Sequence, residues 1–268
     1  MDKLQGLKEQ LKQLKRLAIA YSGGVDSTFL MAVANEVLGP ENVKGYFIVS
    51  PMNPQRDVYE AHAIAEMNHW NVKTIKSDPW EEEKIYRNEA DRCYFCKHSI
   101  FEDILEETKK EGFAYLADGS NIDDEGDYRP GMKALEELKV LSPLREMGLS
   151  KEEIRKYSKE CYDLPTWNKP SAACLASRIP YGTPLTKENL SLVDQGESLL
   201  QGLGYKNCRL RYHGNLCRIE LLPEDFERFM ANDREQVFEE LRKLGFIYVT
   251  LDLFGYKTGS TNLVLEAE

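Results

Sequence analysis

The passage that most restricts this chain runs from Arg16–Tyr21 (RLAIAY) through Ser22-Gly23-Gly24-Val25-Asp26-Ser27 into Ser27–Leu38. The first piece reads as a buried strand. The last reads as a helix stopped by Gly39-Pro40. A glycine pair between strand and helix lets backbone N–H groups face a polyanion without Cβ obstruction. The helix adds its unsatisfied N–H groups and the positive end of its dipole. Ser22 and Ser27 offer hydroxyl donors. Asp26 would repel a phosphate unless a cation stood between them, which implies Mg²⁺. The competing structural reading is a plain glycine turn with Asp26 as a helix cap. No GxxxxGK[ST] occurs in the chain, so the loop is not a Walker A motif.

The first half alternates strand and helix patterns. Asn42–Val49, Asn71–Ile75 and Phe113–Asp118 read as strands; Gln55–Met67, a polar piece near Glu81–Glu89, Ser99–Glu111 and Ser150–Cys161 read as helices. Ser150 with Glu153 forms a capping box signature. Such alternation predicts an α/β domain around a parallel sheet. After Lys169 the pattern changes. Pro170–Thr183 is loop-like. Helix Lys187–Leu203, strands Cys208–Tyr212 and Leu216–Leu221, helix Pro223–Leu244 and strand Phe246–Asp252 then suggest a smaller α+β domain. A boundary near residue 184 divides the 268 residues into 1–184 and 185–268.

Charge and hydropathy exclude several classes. Lys plus Arg number 35 against 45 Asp plus Glu, a net charge of −10. That sign argues against a general nucleic-acid binder, whose affinity comes mostly from phosphate neutralisation. The longest apolar run, Phe29–Ala34, has six residues, far short of the roughly 18 a membrane span needs. The N-terminus is charged and helical with no apolar signal core, so a cytoplasmic protein is expected.

Six cysteines in such a chain point to metal or thiol chemistry rather than a disulfide framework. Cys93-Tyr94-Phe95-Cys96 sits on a turn leading into a helix; it suits a zinc half-site, a redox pair or an iron–sulfur half-site. Cys174 lies among small residues, four positions before Arg178, which suits an accessible, ionisable thiol. Cys161, Cys208 and Cys217 fall within helix or strand patterns and read as buried, inert thiols. Cys93, Cys96 and Cys174 together suggest a [4Fe-4S] cluster with one open iron, with zinc and unligated thiols as competitors.

The loop resembles the PP-loop of the ATP pyrophosphatase superfamily, SGGxDS. That resemblance implies a doubly wound α/β domain, ATP cleavage to AMP and pyrophosphate, and an adenylated intermediate. A narrower resemblance rests on several separated segments. These are Asp118-Gly119-Ser120-Asn121, Asp123-Asp124, Asp127-Tyr128-Arg129-Pro130-Gly131, Trp167-Asn168-Lys169-Pro170 before Cys174, Ser177-Arg178-Ile179-Pro180-Tyr181-Gly182-Thr183, Arg209–His213, Arg218–Leu221 and Gly245–Asp252. With the loop, they look like the ATP-dependent sulfur insertases of lactate racemase maturation. This resemblance implies conversion of pyridinium carboxylates of a mononucleotide to thiocarboxylates, for a nickel-pincer nucleotide cofactor. It implies ATP and Mg²⁺ as cofactors, hexameric assembly, and Cys174 as the sulfur-handling residue. Many members sacrifice that cysteine's own sulfur. Cys93 and Cys96 depart from that pattern and are similar to the cluster ligands of some PP-loop tRNA thiolases, so a cluster-dependent variant is expected. Either route needs Cys174 near the nucleotide.

The remaining candidates serve an anionic substrate and nucleotide. Arg209 and Arg211 flank Leu210, so on a strand both face one side and suit a phosphate; a solvated strand face is the alternative. Arg178 is expected to lower the Cys174 thiol pKa. Arg129 is assigned to nucleotide or substrate contacts. Asp118 and Asn121 end a strand, where α/β sheets bind ligands. Glu220 is read as an ion-pair partner or a catalytic group, and Asp123, Asp124 and Asp127 as site residues or a solvated loop.

Overall fold

The computed structural model describes residues 2–124, 130–170 and 173–257. In chain order its helices and strands are α1 (Lys3–Leu14), β1 (Leu17–Ala20), α2 (Val25–Leu38), β2 (Val43–Val49), α3 (Gln55–Met67), β3 (Val72–Lys76), α4 (Glu83–Tyr86) and α5 (Arg92–Lys110). There follow β4 (Leu116–Ala117), α6 (Pro130–Glu137), α7 (Pro143–Glu146), α8 (Lys151–Glu160), α9 (Lys187–Gly202), β5 (Arg209–His213) and β6 (Leu216–Glu220). The series ends with α10 (Phe226–Arg228), α11 (Arg234–Lys243) and β7 (Tyr248–Leu251). None of the described helices is long and apolar enough to cross a membrane.

Two compact units result. The first comprises Met1–Ser50, Asp57–Pro79 and Asp91–Ala172, within the described residues. Its sheet is parallel, ordered β3-β2-β1-β4. Parallel strands buried on both faces read as continuous apolar runs, which explains LAIA in β1. Alternation sends Leu17 and Ile19 to one side, with Phe29, Leu30 and Val33 of α2, Ala61 of α3 and Ile154 of α8. Ala18, Tyr46 and Ile48 go to the other, with Phe101 and Ile104 of α5 and Leu135 of α6. The chain leaves β1 towards β2 and β3, then returns to β1's other flank as β4. The C-terminal ends of β1 and β4 therefore flank a topological switch point, where α/β sheets bind ligands.

The second unit comprises Pro51–Arg56, Trp80–Ala90 and Ala173–Glu268, within the described residues. An antiparallel β5–β6 hairpin pairs in parallel with β7, in the order β5-β6-β7. The two short upstream segments are stitched in: Met52 accepts from the Leu175 N–H at 2.8 Å, and Trp80 Nε1 donates to the Leu185 carbonyl at 2.7 Å. The α9 helix opens on a Thr186/Asn189 capping box.

Several expected elements shift. The α2 helix begins at Val25 with Gly24 as its N-cap, so Asp26 sits in the first turn rather than capping it. Cys93 and Cys96 lie inside α5, not on a turn before it. The sequence signal begins late because the first two turns of α5 bury little besides Arg92. The Phe113–Asp118 strand contracts to two residues, held by β1 on one side and an isolated bridge from Ala117 to Leu141. The Pro223–Leu244 helix is interrupted by a π-helical turn at Phe229–Asp233 that buries Phe229. Cys208 and Cys217 are buried as expected, and burial pushes both thiols up to about 12. Cys161 is exposed, because α8 ends at Glu160 and leaves it as the C-cap, beyond the buried Ile154 and Ser158.

Candidate active site

The first unit gathers seven of the expected residues at the β1/β4 switch point. The Ser22 N–H donates to Ser27 Oγ at 3.1 Å, the two hydroxyls lie 3.0 Å apart, and the Gly24 N–H points at Ser22 Oγ at 3.4 Å. Gly23 adopts φ +68°, and a Cβ there would stand 2.4 Å from the Ala61 Cβ. Both conditions demand glycine. The first-turn N–H groups of α2, which have no partner inside the helix, open toward this loop.

The loop after β4 closes the other side. A Cβ on Gly119 would come within 2.8 Å of the Ser27 nitrogen, so the strand end presses directly on the start of α2. Asp118 is buried, and its two carboxylate oxygens accept from the Ser120 and Ser142 hydroxyls, the latter at 2.7 Å. It thus braces the strand end. Asn121 reaches across, donating from Nδ2 to Asp26 Oδ1 at 3.2 Å. Asp26 Oδ2 accepts from the Lys151 ammonium. Lys151 was legible only as the residue after a helix cap; nothing in its spacing announced a partner 125 positions away.

The acidic loop has a structural use. The Asn121 N–H donates to Asp124 Oδ2 at 2.9 Å, the Asp123 N–H to Asn121 Oδ1 at 2.9 Å, and Asp123 Oδ2 accepts from the Lys151 N–H at 2.7 Å. Asp127 and Arg129 lie outside the described residues. Farther along this unit, Cys93 and Cys96 stand three apart on α5, which brings their half-buried side chains to one face. The buried Arg92 guanidinium lies 3.6 Å from Cys93 Sγ.

The second unit holds Cys174, Arg178, Arg209 and Arg211. Half-buried Cys174 caps the short turn Leu175–Arg178. Arg178 is 3% exposed and makes a two-pronged pair with Glu197, both contacts at 2.9 Å. Its remaining nitrogen donates to the carbonyls of Ala173 at 2.6 Å and Cys174 at 3.0 Å. It therefore holds the backbone that carries the thiol. Arg209 and Arg211 share one face of β5, and both are buried, so the solvated strand face is not what forms. Arg211 pairs with Glu220 through Nε at 2.9 Å and a terminal nitrogen at 2.7 Å, and donates to the Ser177 carbonyl at 2.9 Å. Glu220 is thereby an ion-pair partner. Arg209 lies 5.0 Å above the Tyr256 ring. Burial, with Arg178 nearby, lowers its pKa, as expected where positive charge is concentrated and desolvated.

Among the described residues, no group of three or more His, Cys, Asp and Glu side chains is assembled to hold a metal ion.

The NAD synthase family signature matches residues 3–94, which contain the loop. An uncharacterized protein of Synechocystis sp. is 39% identical over 265 residues, covering 98% of each chain. The pyridinium-3,5-bisthiocarboxylic acid mononucleotide synthase of Lactiplantibacillus plantarum is 36% identical over 253 residues, covering 94% of this chain and 91% of the relative. The chain belongs to this synthase family. It is an enzyme of the PP-loop, ATP-dependent sulfurtransferase class. An uncharacterized protein of Methanocaldococcus jannaschii is 30% identical over 262 residues, covering 96% of this chain and 98% of the relative.

Proposed function

We propose that this synthase family member adenylates the carboxylates of pyridinium-3,5-biscarboxylic acid mononucleotide with ATP. It then replaces carboxylate oxygen by sulfur, giving thiocarboxylates for a nickel-pincer nucleotide cofactor. The observation that carries this reading is the Ser22–Ser27 loop on the α2 N-terminus with Asp26 in its first turn. Its support in sequence is the near full-length likeness to the Lactiplantibacillus plantarum synthase.

A carboxylate does not exchange oxygen for sulfur unaided, since oxide is a poor leaving group. Attack of the carboxylate on the α-phosphate makes a mixed anhydride and expels pyrophosphate. The loop N–H groups, the Ser22 and Ser27 hydroxyls and the α2 dipole face the departing charge. Asp26 suits Mg²⁺, which takes one or two carboxylates together with phosphate oxygens. Asn121 holds that carboxylate in place. In the second unit, Arg209 is the arginine that would meet the substrate's phosphate, while Arg178 and Arg211, neutralised by Glu197 and Glu220, brace the turn that carries Cys174. We assign that unit to substrate binding and to assembly into a homo-oligomer, a hexamer by family resemblance.

Sulfur handling falls to Cys174. The donor chemistry of Cys93, Cys96 and Cys174, three thiols, suits a [4Fe-4S] cluster, and these residues would hold it. Such a cluster, when bound, supplies sulfide at an iron without a protein ligand. A second route is the sacrificial one that the family resemblance implies, and it needs only the Cys174 thiol. In it the Cys174 thiolate displaces AMP to form a thioester. Loss of the Cys174 Cα proton then cleaves its Cβ–S bond, leaving a thiocarboxylate and dehydroalanine. Iron and sulfide analysis after anaerobic purification separates the two routes. About four irons per chain, lost in Cys93→Ala, supports the cluster. Iron-free active protein whose Cys174 loses one sulfur supports sacrifice.

The reaction itself is tested by pyrophosphate release. Release from ATP on adding the pyridinium mononucleotide, with no response to tRNA, is the expected result. Release driven by tRNA alone would replace this reading with tRNA thiolation, against which the net charge of −10 argues.

A further inference from the structure

The nucleotide site contains a cation of its own. Lys151 is the first residue of α8, and its ammonium sits on Asp26 Oδ2, while Asn121 occupies Oδ1. Both oxygens of the carboxylate proposed for Mg²⁺ are therefore engaged by side-chain donors.

The pairing is built rather than incidental. Two hydrogen bonds tie the turn before α8 to the loop after β4: Ile122 N–H to the Leu149 carbonyl at 3.2 Å, and Lys151 N–H to Asp123 Oδ2 at 2.7 Å. The same loop orients Asn121 through the Asp123 N–H and Asp124. The Ser150–Glu153 capping box fixes the direction in which α8 starts, and Lys3 anchors Glu153 at 2.7 Å. Three segments far apart in sequence thus converge to deliver one amide and one ammonium to one carboxylate. Both charged side chains remain partly exposed, 26% for Lys151 and 20% for Asp26, so either can be reached by solute.

We propose that Lys151 is an exchangeable counter-cation of the nucleotide site. It neutralises Asp26 while the site is empty and moves to a phosphate oxygen of ATP when a divalent cation takes the carboxylate. The inference rests on the nucleotide-binding role given above to the Ser22–Ser27 loop. Its physical basis is charge balance. An uncompensated carboxylate beside a polyphosphate is repulsive, and Mg²⁺ cannot enter Oδ2 without displacing the ammonium held there. The displaced ammonium is a mobile point charge on a flexible stem, suited to follow the phosphates. The helix start holds its Cα fixed, so the charge moves by side-chain rotation.

Two calorimetric titrations test this on the full chain, one with Mg²⁺ alone and one with MgATP. In Lys151→Met the competitor for Asp26 is gone, so Mg²⁺ alone binds about tenfold more tightly than in wild type. MgATP binds about ten- to a hundredfold more weakly, the loss expected for one charge-assisted hydrogen bond. Lys151→Arg keeps the charge and recovers most of the MgATP affinity. Opposite signs for the two ligands are the signature, since a purely structural role would weaken both. An unchanged MgATP affinity in Lys151→Met, or Mg²⁺ affinity that fails to rise, overturns the exchange. Should Lys151→Met not fold, the same titrations on Lys151→Gln decide by the same criteria. Wild type that binds no MgATP overturns the proposed function as well; wild type that binds it while Lys151→Met is unchanged overturns this inference alone.

Discussion

Glu220 is 1% exposed and shared by two arginines: Arg211 in a two-pronged pair and Arg218 at 3.2 Å. Removing one partner of such a pair leaves a buried charge without compensation, which is costly even where the intact pair adds little. Glu220→Gln is therefore expected to lower unfolding free energy by about 3–5 kcal/mol, read by urea denaturation. A loss under about 1 kcal/mol would mean that solvent reaches Arg211. Asp26 makes the contrasting prediction. Asp26→Asn keeps the shape but leaves one acceptor oxygen for two donors, Asn121 and Lys151; with Asp26 and Lys151 partly exposed, the loss in stability is expected to be about 1 kcal/mol or less. Substrate-dependent pyrophosphate release is expected to fall by about a hundredfold or more, the scale for losing one electrostatic element of a transition state. Near-normal release would remove Asp26 from the metal-binding role.

At the scale of elements, a charged ladder fastens α5 to the sheet. Lys44 of β2 meets Glu111 at 2.5 Å, and Lys73 of β3 meets Glu111 at 3.0 Å and Glu107 at 2.6 Å. The hydrogen bond from Lys44, helped by Lys73, holds the Glu111 carboxyl down to about 2. A carboxyl lowered in the folded state stabilises above its ordinary value of 4.5, and that contribution is lost as pH falls through about 2. Glu111→Gln should flatten the pH dependence of stability between those values and cost about 1 kcal/mol or less at neutral pH. An unaltered acid limb in a pH series of urea melts would contradict the ladder. The elements themselves were legible to differing degrees. The β1–loop–α2 passage stood out because glycines bound its apolar runs, and α3 because its apolar residues, Ala61, Ile64 and Ala65 among them, recur at helical spacing. The first turns of α5 did not, because Arg92–His98 has little apolar periodicity to declare a helix. The partners of Asp26 were illegible for another reason. Asn121 and Lys151 reach it through tertiary hydrogen bonds from a loop and from the start of α8, and no local spacing encodes those.

For the whole molecule, two chemistries are assigned to two compact units. The phosphate loop, Asp26, Asn121 and Lys151 belong to the first; Cys174 and its arginine-braced turn belong to the second. Short motifs in the sequence pointed to the Ser22–Ser27 loop, Asn121 and Cys174, while Lys151 and the bracing by Glu197 and Glu220 required the fold, since each carboxylate lies on a different element from the arginines that were expected to bind ligands. If activation and sulfur delivery are separate functions of separate residues, a substitution at Cys174 should uncouple them. Pyrophosphate and thiocarboxylate are to be counted in the same anaerobic reaction with ATP, Mg²⁺ and the pyridinium mononucleotide, for wild type and Cys174→Ser. Wild type should yield both products, and Cys174→Ser should still release pyrophosphate while forming no thiocarboxylate. Thiocarboxylate from Cys174→Ser, or no pyrophosphate from wild type, would contradict the account.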